Sequence, residues 1–162
     1  MDIDDIKFQH EINVEEYNRL RESVDFIRIT PERAKCALKN SLYRIIAVDG
    51  DTPVGMARVV GDGGYVFFIC DVIVHPQYQS KGLGRKLIER VLAWLEAQVD
   101  EGETIMVNLM SAMNKEEFYS KLGFHRRPFG NHGSGMSQWI SGDSKRGFTV
   151  EDEGGSEKCK KL

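Results

Sequence analysis

The chain has 162 residues, 41% hydrophobic and 29% charged, with a net charge of −3. That length suits one domain with a proper core, and the lack of a basic excess removes the electrostatic support that a nucleic-acid partner needs. Cys36, Cys70 and Cys159 form no CxxC or Cys/His set, so no metal is expected and a reducing, cytoplasmic setting is. No apolar run approaches the ~20 residues of a membrane span, and the acidic start MDIDDIKFQH has no signal core.

In chain order, residues 3–9 suit a short strand, and VEEYNRLRES (14–23) has helical spacing at Val14, Tyr17 and Leu20. Thr30-Pro31-Glu32-Arg33 is an N-cap followed by proline at the first helical position, opening a helix over 31–40. Strands follow at 42–50 and 53–61, joined by short turns rich in Gly and Asp, which points to hairpins. The third strand of this group, 65–76, is almost continuously apolar, the mark of a central strand covered on both faces. Leu83, Leu87, Ile88, Val91, Leu92 and Leu95 then recur at helical spacing over 82–98. A strand at 104–110 and a short helix at 114–122, stopped by Gly123, come next. FHRRP and GMSQWI each suit a final short strand. This order describes an α/β (α+β) domain over 1–140 with a mixed, mostly antiparallel sheet flanked by helices. Residues 141–162 are polar and charged and are expected to be a flexible tail.

Chemistry concentrates in DVIVHPQYQSKGLGRKLIERV, residues 71–91. Gly82 and Gly84 lie between a central strand and a helix start, where free N–H groups and the positive end of the helix dipole favour an anion. Lys81 and Arg85 add charge. A P-loop is excluded, because GxxxxGK[ST] is absent, and a dinucleotide fingerprint is excluded, because its third glycine would fall at Leu87. A GxG alone also fits a plain tight turn.

The wider pattern is more specific. VHPQYQSKGLG resembles the acetyl-CoA motif of the GNAT superfamily of N-acetyltransferases, whose core is Gln/Arg-x-x-Gly-x-Gly/Ala, and Gln79 to Gly84 matches it in full. EEFYSKLGF (116–124) is similar to a later motif of the same superfamily. The resemblance covers about residues 3–140. It implies a GNAT-like fold with the fourth and fifth strands splayed, and acetyl-CoA as co-substrate bound in the gap.

Carried over residue by residue, the resemblance implies that Val72, Ile73 and Val74 pair with the pantetheine arm through their backbone. It implies that Gln79, Ser80, Lys81, Gly82, Leu83, Gly84 and Arg85 hold the pyrophosphate, mostly by amides. Tyr119 matches the general acid that protonates the departing thiolate; a core aromatic at helical spacing is the alternative. Asp71 is the only charge in the run 65–74. It either takes the amine's proton through water, binds the ammonium, or is a paired strand aspartate. Many members have Asn seven residues before the Tyr and Ala four before it; here these are Ala112 and Lys115. Asn114 is the nearby substitute for the cofactor contact. His75 is either a base or, as a solvent-facing residue near the loop, a bystander; Asn108 either binds substrate or satisfies the splayed backbone; Cys70 reads as an inert core thiol. Arg126, Arg127 and His132 form either a surface loop or an anion-favouring edge of the acceptor site.

The resemblance therefore implies direct acetyl transfer to a primary amine, and small size without an accessory domain favours that of a small molecule. A protein Lys or N-terminal acetyltransferase and a non-catalytic acyl-CoA-binding module are the alternatives. A homodimer is compatible with the family, though no interface is legible in the residues.

Overall fold

A computed structural model of the chain describes residues 5–139. The tail expected from residue 141 lies outside the described residues. The chain divides into two compact units between Met110 and Ser111.

The first unit opens with β1 (Lys7–Gln9), α1 (Val14–Glu22) and α2 (Pro31–Lys39), then β2 (Tyr43–Asp49), β3 (Thr52–Gly61) and β4 (Val66–Val74). A 3-10 turn at Pro76–Tyr78 leads to α3 (Leu83–Glu96), and β5 (Met106–Leu109) closes the unit. The five strands form one sheet in the order β1-β2-β3-β4-β5, antiparallel except for the parallel pair β4 and β5. This is the mixed, mostly antiparallel α/β arrangement expected. No helix among the described residues is long and apolar enough to cross a membrane.

The helices start where the residues say they should. Asn13 caps α1 in a reciprocal box with Glu16, and Thr30 caps α2 with Pro31 at its first position. Asn18, fully buried, fastens the intervening loop: its amide donates to the Ile29 carbonyl at 2.9 Å and accepts from the Ile29 N–H at 3.2 Å.

The two sheet faces are covered by different helices. A Cβ on Gly55 would lie 3.2 Å from Leu87 and 3.1 Å from the Ile73 carbonyl, so glycine here lets α3 lie close on the sheet. The next residue, Met56, packs instead with Tyr17, Leu20, Ala34, Leu38, Ile46 and Ile73. Adjacent strand residues point to opposite faces. α3 therefore covers one face and α1 and α2 the other.

Two details of β4 position the site. Its pairing with β5 runs only from Val66 to Ile69, so Cys70–Val74 has no strand on that side among the described residues. This is the splay expected of the fourth and fifth strands. The pairing with β3 also jumps: Met56 faces Ile73 and Arg58 faces Cys70. Asp71 and Val72 thus oppose Ala57 alone, a β-bulge, with Asp71 at φ +48°.

The second unit contains α4 (Glu116–Ser120). The helix expected over 114–122 is shorter because Asn114 sits at φ +64° and Gly123 at φ +92°, conformations outside a right-handed helix. The final strand expected at FHRRP does not form, and 135–139 carries no strand either; Ile140 lies outside the described residues. A turn closes there instead, with reciprocal backbone bonds between Phe129 and His132.

Candidate active site

The loop between β4 and α3 is built to leave N–H groups open. Ser80 and Gly82 both take left-handed conformations, at φ +61° and +89°. Gly82 is the N-cap of α3 and supplies no side-chain cap. The first helical bond is the Lys86 N–H to the Gly82 carbonyl at 3.1 Å. The amides of Leu83, Gly84 and Arg85 therefore point out of the helix end uncapped, where the dipole favours an anion. Leu83 is itself buried, so it anchors the helix while its amide faces out. Gln79, Ser80, Lys81 and Arg85 are exposed around it.

Side chains hold this loop in place. Gln79 turns back, its amide donating to the Val74 carbonyl at 2.9 Å. Tyr78 donates its hydroxyl to Asp49 of the β2–β3 hairpin at 2.6 Å, which raises the phenol's pKa through that bond. The Lys81 ammonium donates to the Gln77 carbonyl at 2.8 Å. His75 donates its N–H to the Val54 carbonyl at 2.8 Å, and its ring Nδ1 accepts from the Gln77 N–H.

That last strand bond fixes the direction of the β4 backbone. Gly55 and Val74 are partners, and the bond from His75 to Val54 lies just outside them. In an antiparallel ladder this leaves Gly55 and Val74 as the non-bonded pair. The N–H and C=O of Val74 accordingly point away from β3, toward the open edge. Ile73 is turned the other way. Its backbone faces β3 and its side chain is in the core, which corrects the expectation that all three of Val72, Ile73 and Val74 present their backbone to the gap.

Asp71 sits in the bulge at the start of the open half of β4. Its Oδ1 accepts from Arg21 Nη1 at 2.8 Å, its Oδ2 accepts from Arg58 Nε at 2.6 Å, and the Tyr17 hydroxyl also donates to Oδ2. Its side chain is 9% exposed. Burial and then the Asp71 charge push the Tyr17 phenol up to about 12, so Tyr17 stays protonated. The neighbouring Cys70 thiol is pushed up to about 11, chiefly by burial, and is a poor nucleophile.

The sequence reading found Asp71 but missed its partners. Arg58 had the same signal, a lone charge in an apolar strand. Tyr17 and Arg21 had only a helical i, i+4 spacing, which names no target.

In the second unit, Tyr119 is the buried residue of α4. It lies edge-on to Phe118 and Phe124, at ring distances of 4.9 and 6.0 Å. Burial raises its pKa above the ordinary tyrosine value. Its hydroxyl has no hydrogen-bond partner among the described residues, yet no buried polar side-chain atom lacks one, so the hydroxyl reaches solvent. Asn114 is exposed in the turn before α4. Arg127 donates through Nε to the Gly133 carbonyl at 2.7 Å, which ties the last loop to itself. Among the described residues no group of three His, Cys, Asp or Glu side chains is placed to hold a metal.

Comparison with known proteins adds a family. Residues 7–124 match the acetyltransferase (GNAT) family. An uncharacterized N-acetyltransferase, ycf52, of Pyropia yezoensis is 33% identical over 126 residues, covering 75% of this chain and 70% of the relative. The histone acetyltransferase TAP1 of Glycine max is 33% identical over 134 residues, 76% of this chain but 56% of the relative. Among solved structures, the probable acetyltransferase SA2161 of meticillin-resistant Staphylococcus aureus aligns with a TM-score of 0.73 at 28% identity, over 83% of this chain and 99% of its own.

Proposed function

The chain belongs to the GNAT acetyltransferase family, and from that premise we propose that this acetyl-CoA-dependent N-acetyltransferase transfers acetyl directly to a primary amine of a small molecule. The observation that carries the reading is the joined geometry of the open β4 edge and the uncapped N-terminus of α3. A strand edge and a helix end in succession suit an amide-bearing arm followed by a pyrophosphate, the two halves of coenzyme A.

In this reading the amides of Leu83, Gly84 and Arg85 hold the pyrophosphate. Lys81 and Arg85 screen it, and the Val74 backbone pairs with the arm. Acetyl-CoA supplies the thioester carbonyl. An amide of the open edge is the candidate donor to the developing oxyanion. Tyr119 is the proton donor to the leaving thiolate; its raised pKa keeps the proton in place until it is needed. Asn114 is the candidate for a further cofactor contact.

Asp71 takes a different part from that of a free base. Three donors occupy its two oxygens, two of them guanidinium groups. It serves as the anchor of the bulge and of the two arginines.

A protein acceptor is the second reading, because a relative is named a histone acetyltransferase. Cys36 and Cys70 are free, which suits a reducing, cytoplasmic setting. The deciding experiment is an amine and peptide panel with thiol detection of released coenzyme A. Turnover of a small amine supports the proposal. Turnover of peptides alone transfers it to the second reading, and absence of acetyl-CoA binding refutes both.

A further inference from the structure

The Asp71 carboxylate is gripped by more positive charge than it balances. Arg21 and Arg58 each pair with it, and each side chain is only 12% exposed. Neither has a second carboxylate within ion-pair distance among the described residues. Tyr17 is neutral below its raised pKa. The cluster therefore holds one surplus positive charge in a mostly buried place, which is costly unless an anion completes it.

The hydrogen bonds show where that anion fits. Arg21 spends Nε on the Ile27 carbonyl at 3.1 Å and Nη1 on Asp71. Arg58 spends Nε on Asp71, and Nη1 on the Ala37 carbonyl and the Ser41 hydroxyl. On both, Nη2 has no partner among the described residues. Since no buried polar side-chain atom is left unpartnered, each Nη2 opens to solvent. Each of the two nearly buried guanidinium groups thus keeps one donor within reach of solvent, beside one carboxylate at the start of the unpaired half of β4.

The neighbours limit what else enters. Arg21 lies over the rings of Tyr17 and Phe26, at 5.5 and 5.6 Å. Phe26 and Ile27 are 38% and 63% exposed, an apolar rim on the α1–α2 loop. An ammonium would meet net repulsion here, while the planar fork of arginine suits carboxylate and phosphate oxygens.

Resting on the acetyltransferase reading, we propose that the open edges of Arg21 and Arg58 bind an anionic group, carboxylate or phosphate, carried by the acceptor amine. The acceptor is then a zwitterionic or phosphorylated amine, with its apolar part against Phe26 and Ile27.

Two measurements test this. Acetate or inorganic phosphate is titrated into the full chain, following the Nε–H signals of Arg21 and Arg58 by nitrogen-15 NMR. Saturable shifts at both are expected; their absence with both anions overturns the site. In parallel, matched amines are compared as acceptors: 4-aminobutanoate with butylamine, and O-phosphoethanolamine with ethanolamine. The anionic member of at least one pair is expected to lead by about tenfold or more in kcat/KM, the scale of hydrogen bonds to a charged group. In Arg21→Gln, that ratio should fall toward one with acetyl-CoA affinity retained. Equal or better turnover of both neutral members, or an equal loss for both members in the variant, overturns the proposal. Failure of the chain to bind acetyl-CoA sinks the acetyltransferase reading instead, and the anion titration still decides this site.

Discussion

The two ends of residues 71–85 are built by opposite means. At the Asp71 end, side chains from α1 and β3 converge on one carboxylate of β4, and each bond joins residues 13 to 54 positions apart. At the Gly82 end, the left-handed turns and the uncapped helix end make the surface mainly from backbone. Under the proposed function, the pyrophosphate is met by backbone and the acceptor by side chains. The difference predicts that substitutions at the first end act on stability and acceptor choice, and those at the second on cofactor affinity.

The sharpest way to break this contrast is Asp71→Asn. Removing the charge strands two mostly buried guanidinium groups, so unfolding free energy should drop by about 3–5 kcal/mol. The check is urea unfolding. A loss under ~1 kcal/mol would mean that the cluster is not an anchor. Tyr119→Phe comes next: kcat should fall about 100-fold, the lower range for general acid catalysis, with acetyl-CoA affinity kept in calorimetry. Full activity would return Tyr119 to a packing role.

Changes at the backbone end should cost less stability than Asp71→Asn and act mainly on the cofactor. Replacing Gly82 and Gly84 together by valine strains the left-handed cap and obstructs the helix end, and should weaken acetyl-CoA binding about tenfold or more. Tyr78→Phe removes the hydrogen bond that ties the loop to Asp49. Losing about 1 kcal/mol of positioning should raise KM for acetyl-CoA roughly fivefold with kcat unchanged. A fall in kcat alone would contradict a role limited to placing the loop.

The smallest effect is on pH dependence. The folded-state pKa of Tyr17 lies near 12, above the ordinary 10. A raised pKa contributes stability that is whole below pH 10 and is lost as pH climbs through 12. Wild type should therefore lose stability more steeply than Tyr17→Phe between pH 10 and 12. Parallel curves would detach Tyr17 from Asp71.

Much of the fold was legible because its signals are local. The cap at Thr30 reaches only three residues, and alternation or helical spacing marks a strand or helix within its own length. The closing strands were misread because FHRRP has strand-like residues but no partner strand among the described residues; a strand exists only by pairing. Asn114 shows the same limit, since its left-handed turn shortens α4 without any sign in the spacing.

The residues by themselves determined the element order, the glycine turn before α3 and the kinship carried by Gln79–Gly84 and Phe118-Tyr119. Those features are set by neighbours within a few positions, where backbone sterics and periodicity act. Only the tertiary structure decided that Val74, and not Ile73, turns its backbone to the open edge. It also decided that Asp71 is held by Tyr17, Arg21 and Arg58. The physical reason is that a buried charge is defined by what surrounds it. Those surroundings come from elements 13 to 54 residues apart along the chain, which meet only when the sheet and its helices pack.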